Sequence, residues 1–98
     1  MSLSVLNADA QIEEERKAID DVDLELVALI RRRLGHSLAI AQRKAELGIS
    51  IYDPARERAI VARVGPEYVR TVYRAVVEEC RRAGQAATAD RKRIGTRR

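Results

Sequence analysis

The sequence predicts an all-α fold, and three observations carry that prediction. Ala, Leu, Arg and Glu, all good helix formers, dominate the chain, while Phe and Trp are absent and Tyr occurs only three times. No segment alternates polar with apolar residues as a half-buried strand would. Apolar residues recur instead at helical spacing, in stretches separated by Asp53-Pro54 and Gly65-Pro66.

Three helices follow from that punctuation: one long, one short and one of medium length. The first is expected from about Asp9 to Leu47. Asp9 or Asn7 can cap its start, and Glu13, Glu14 and Glu15 suit the positive end of its dipole. Gly48 is a natural stop just past the last periodic residue. Gly35, inside this helix, costs about 1 kcal/mol relative to Ala and marks close packing or a local bend. After a short β-branched link, Asp53 reads as an N-cap with Pro54 at the first helical position. This second helix ends near Val64. The third begins at Pro66 or just after it, with Val69, Val72, Tyr73, Val76, Val77 and Cys80 on one face, and fades after Gly84 or Gln85.

Ninety-eight residues make one small domain with a modest core. Residues 9–87 form the expected helical domain, flanked by a flexible start (1–8) and a basic, disordered tail (88–98). The tail carries the whole charge excess. Residues 90–98 hold five basic residues against Asp90, which accounts for the net +4, so the body is neutral. Some 38 residues of helix would span roughly 57 Å, far beyond the radius of gyration of about 13 Å expected for a compact chain of this size. Such a rod leaves its apolar stripe wet unless a second copy covers it, which predicts a homodimer.

Composition also excludes chemistry. Cys80 is the single cysteine and His36 the single histidine, so an internal disulfide, a cysteine-rich zinc site and most histidine-based catalysis are out of reach. There is no glycine-rich phosphate loop. The longest apolar run falls short of a membrane span, and the first residues lack a signal-peptide pattern, so a cytoplasmic protein is expected.

What remains is a set of charges in apolar company. Arg33 and Lys44 lie about 16 Å apart along the first helix and within roughly 20° of one face. Ile19, Val22, Leu26, Ile30 and Ile40 share that face. A cation turned toward a core is costly unless an anion meets it. Arg56 stands in the first turn of the second helix, where a cation is mildly unfavourable and a bound carboxylate would relieve it. Asp53 and Glu57 flank it, and Arg16 lies at the edge of the stripe, placed to reach a partner's site. The pattern fits a small dianion bound by fixed donors, a site suited to a reaction that needs shape and electrostatics rather than proton transfer.

These residues resemble the all-helical class of chorismate mutases. The match runs from about Ile12 to Gln85. It comprises "ERKAIDDVDLELVALIRRR", similar to the family's "R..ID..D..L..L...R" opening, then "IAQRK" with Lys44, then "YDPARE", similar to its "D..RE" signature. The resemblance implies an intertwined homodimer of three-helix chains, with each site built from both chains. It also implies the cofactor-free, metal-free Claisen rearrangement of chorismate to prephenate, a step toward Phe and Tyr. By position, Arg16 would reach a substrate carboxylate across the dimer and Arg33 would bind one in its own site. Lys44 would donate to the ether oxygen, Asp53 and Glu57 would engage the hydroxyl, and Arg56 would bind a carboxylate or orient its neighbours.

The sequence departs from the family on the third helix. The family offers Ser and, four residues later, Gln; here Cys80 and Gly84 stand there, with Gln85 displaced by one. The short Val64-Gly65-Pro66 link resembles a subclass whose members can depend on a 3-deoxyheptulosonate-phosphate synthase as partner. Other readings are a 4-amino-4-deoxychorismate mutase, an isochorismate pyruvate lyase, or a non-catalytic helical dimeric module. Nucleic-acid binding through Arg31, Arg32, Arg33 and the tail is disfavoured by the neutral body and the lack of a stacking platform.

Overall fold

A computed structural model describes residues 3–96, with side chains for residues 7–89. It contains three helices, α1 (Leu3–Glu46), α2 (Pro54–Ala62) and α3 (Glu67–Thr96), and no strand among the described residues. The helix count and order agree with the expectation from sequence, as does the ranking of one long, one short and one intermediate helix. None of these helices is long and apolar enough to cross a membrane.

The boundaries differ in instructive places. α1 begins at Leu3, not at a cap on Asn7 or Asp9. Leu6, Ala8 and Ala10 are good helix formers and nothing among them breaks a helix, so propensity continues past both polar residues. α3 likewise runs on to Thr96 rather than fading at Gly84 or Gln85, through Ala86, Ala87 and Ala89. The expected flexible start and basic tail therefore overlap helical backbone. Met1, Ser2, Arg97 and Arg98 lie outside the described residues.

α1 stops as expected. Gly48 takes φ +70°, a left-handed conformation that favours glycine. Its N–H reaches the Ala45 carbonyl at 3.2 Å, and Ile49 N–H reaches the Lys44 carbonyl at 2.8 Å. That crossed pair satisfies two of the helix's terminal carbonyls. Arg43 and Lys44 in the last turn suit its negative end. At the start of α2 the Asp53 carboxylate accepts from the Arg56 backbone N–H at 3.0 Å, with Pro54 in the first turn. Gly65 (φ +103°) turns the chain into α3.

The chain divides into two units, with the boundary between Arg31 and Arg32. The described part of the first is a single helical stretch with no core of its own. Ile19, Val22, Leu26 and Ile30 are each about half exposed. The second unit holds the buried residues: Ala41 from α1, Val61 from α2, and Val77 and Cys80 from α3. Val69, Tyr73 and Val76 are half-buried as the expected α3 face requires, but Val72 is 65% exposed and lies off it.

The tight point is where α3 crosses the end of α1. A Cβ placed on Gly84 would stand 2.8 Å from the Ala41 Cβ, closer than two carbons can pack. Gly35 meets nothing within 4 Å, so among the described glycines the one committed to packing is Gly84 and not Gly35.

Thermal unfolding followed by circular dichroism separates the two glycines. Gly84→Ala is expected to cost about 1–3 kcal/mol by overpacking. Gly35→Ala is expected to raise stability by about 0.5–1 kcal/mol through helix propensity. A fall for Gly35→Ala would mean that a neighbour outside this chain packs on that position.

Candidate active site

Within the second unit, α1, α2 and α3 line an open cleft of about 170 Å³. Its charged lining is Arg33 and Lys44 from α1, Asp53 at the α2 cap, Arg56 and Glu57 from the first turn of α2, and Arg81 from α3. Ser37, Cys80 and Gly84 complete the polar and small-residue wall. Sequence spacing explains much of this convergence. Arg33, Ser37, Ala41 and Lys44 recur three and four apart on one α1 face, while Asp53, Arg56 and Glu57 follow from the cap geometry.

Each charge is held differently. Arg33 Nε donates to the Tyr73 hydroxyl at 3.2 Å, with a longer 3.5 Å contact from Nη1 to Ser37 Oγ, and the guanidinium lies 5.5 Å from the Tyr73 ring centre. Partial burial works against the Arg33 charge, but hydrogen bonds to Tyr73 and Cys80 outweigh it and raise the pKa above the ordinary arginine value. Arg33 is therefore a permanent cation with a fixed orientation. Lys44 is half-buried, and no described residue pairs with its ammonium. Asp53 spends one carboxylate oxygen on the α2 cap. Glu57 Oε2 accepts from Arg81 Nε at 2.9 Å, with both side chains only about one-fifth exposed (20% and 21%). Arg81 in turn lies over the Tyr52 ring, 4.4 Å from its centre.

Four cations against two carboxylates leave a surplus of two positive charges on this lining. No nucleophile with a base beside it lines the cavity. Cys80 is 5% exposed and His36 is not among the lining residues. Among the described residues no group of His, Cys, Asp and Glu is placed to hold a metal ion. The arrangement can bind a dianion, fix its conformation and stabilise charge that develops on it.

Seven of the nine residues singled out from sequence meet at this cavity: Arg33, Lys44, Asp53, Arg56, Glu57, Cys80 and Gly84. Two do not. Gln85 lines a separate cavity of about 750 Å³ with Ala45, Gly48 and Thr88, because a shift of one residue rotates a helical side chain by about 100°. Arg16 belongs to the first unit, where it is exposed and paired with Glu13 at 2.5 Å. Arg81 was missed. The available signal was its spacing, four residues after Val77 and three before Gly84, which puts a cation among buried positions.

Comparison with known proteins agrees with the resemblance. The model of a family described as chorismate mutase type II matches residues 15–85. The chorismate mutase of Methanocaldococcus jannaschii is 39% identical over 54 residues, which cover 55% of this chain and 54% of that protein. The chain thus spans about half the length of the curated relative it matches. No solved structure gives a significant match.

The cap on α2 positions two lining residues, so its loss should register as stability. Asp53→Ala is expected to cost about 1 kcal/mol and Asp53→Asn only a few tenths, read from urea unfolding midpoints.

Proposed function

We propose, on the premise that this chain belongs to the chorismate mutase type II family, that it rearranges chorismate to prephenate. The observation that carries this reading is the doubly positive lining of the cavity, formed by residues inside the matched region. Arg33 anchors one substrate carboxylate and Arg56 assists with the other. Lys44, which has no partner among the described residues, donates to the ether oxygen, where negative charge grows as the C–O bond breaks. Asp53 and Glu57 accept from the ring hydroxyl. A pericyclic step needs no base or nucleophile, only the compact conformer and preorganised donors, and the lining supplies those.

The Glu57–Arg81 pair bears on the choice of substrate. A 4-amino analogue would bring an ammonium toward Glu57 against a guanidinium already bound there. A hydroxyl donates to the same carboxylate without that repulsion, which favours chorismate over the amino compound.

The first unit supplies the reason for a dimer. Its apolar residues Ile19, Val22, Leu26 and Ile30 are about half exposed, and burying them against a second copy is the self-consistent solution for a helix with one apolar face. In that dimer Arg16 would complete the partner's site. Residues 9–87 act as the catalytic domain. The short α2–α3 link keeps a 3-deoxyheptulosonate-phosphate synthase in view as a partner that raises activity.

Purified protein is expected to convert chorismate to prephenate, and Lys44→Ala or Arg33→Ala to lower the rate about a hundredfold or more with helicity retained. No turnover above the uncatalysed rate, with or without the synthase, would overturn the activity. Light scattering should give twice the chain mass. Leu26→Glu should halve that mass; a wild-type monomer would refute the dimer.

A further inference from the structure

We propose that Arg81 is itself a substrate-contacting residue, donating from α3 to an anionic oxygen of the bound dicarboxylate in place of the side chain that Gly84 lacks. The proposal rests on the chorismate mutase reading above and adds a catalytic residue to it.

Three observations meet at Arg81. Its guanidinium is fixed on two sides, by the single Nε contact to Glu57 at 2.9 Å and by the Tyr52 ring at 4.4 Å. Its two Nη groups make no hydrogen bond to any described residue, and the side chain is 21% exposed, against 60% for the neighbouring Arg82. A guanidinium that served only to tie α3 to α2 would be expected to grip the carboxylate with its two-pronged edge. Here one prong is used, and the remaining N–H donors belong to a residue that lines the cavity.

The third observation is the fate of the α3 wall. Gly84 cannot carry a donor, because Ala41 occupies the space where even a Cβ would go. Arg81 precedes it by three residues and so lies on the same helical face. The wall that packing has stripped of a side chain is thus served by a longer, charged one from the preceding turn. Arg81 supplies one of the four cations that this chain sets against two carboxylates on the lining. A planar, preorganised fork is also the side chain best suited to a carboxylate or a developing enolate oxygen.

The test is a double-mutant cycle on full-length protein with chorismate, using Arg81→Met, Glu57→Gln and the pair together. Arg81→Met is expected to lower kcat about a hundredfold at a near-wild-type melting temperature. The loss should persist in the Glu57→Gln background, because a residue acting only by holding Glu57 would cost nothing further there. Arg81→Lys keeps the charge without the fork and is expected to lose about tenfold; it gives the same reading if the Met variant does not fold. A kcat within about threefold of wild type, or a loss that vanishes beside Glu57→Gln, overturns the proposal. If wild type shows no turnover, the activity reading fails by itself. Arg81 is then judged by calorimetric titration with prephenate, where absent binding, or equal binding by wild type and Arg81→Met, overturns it.

Discussion

The close approach of α3 to α1 at Gly84 and Ala41 is the constraint on which the second unit depends. Because Gly84 has no side chain, the two backbones come near enough that an added Cβ would stand 2.8 Å from its neighbour. Residues three and four positions from a helix contact share its face. The crossing therefore brings Ser37 and Lys44, flanking Ala41, into one cavity lining with Cys80 and Arg81, preceding Gly84. A larger residue at position 84 would widen the crossing and separate the two walls. The same contact explains why a donor cannot stand at Gly84 itself: the position is committed to packing.

Charge is arranged around that crossing in pairs of unequal freedom. Arg33 is bound to Tyr73 and Arg81 to Glu57 and Tyr52, so both guanidiniums are fixed before any ligand arrives. Lys44 has no such tether. Fixed donors lose little entropy on binding and are preorganised both for the carboxylates and for charge that develops near them. An ammonium whose solvation is reduced by partial burial has most to gain from charge that appears only in the transition state. The proposed division of labour between Arg33 and Lys44 follows from that difference.

Much of the fold was legible in the chain because it rests on local chemistry. Asp53-Pro54 and Gly65-Pro66 dictate where α2 starts and where the chain turns, whatever the rest of the molecule does. The helical period likewise put Arg33 and Lys44 on one face before any neighbour was known. The ends of α1 and α3 were less legible, since caps compete with alanine-rich sequence that prolongs a helix in either direction.

Sequence by itself determined the helices, their order and the α1 and α2 charges of the cavity, because periodicity and capping act within a few residues. Only the tertiary structure decided which wall α3 contributes. It turned Gln85 toward another cavity, made Gly84 a packing position and set Arg81 against Glu57, 24 residues away in the chain. Those outcomes depend on how closely two helices approach and on the rotation of one about its axis. Both are fixed by steric fit between residues distant in the chain, which local spacing constrains but does not set.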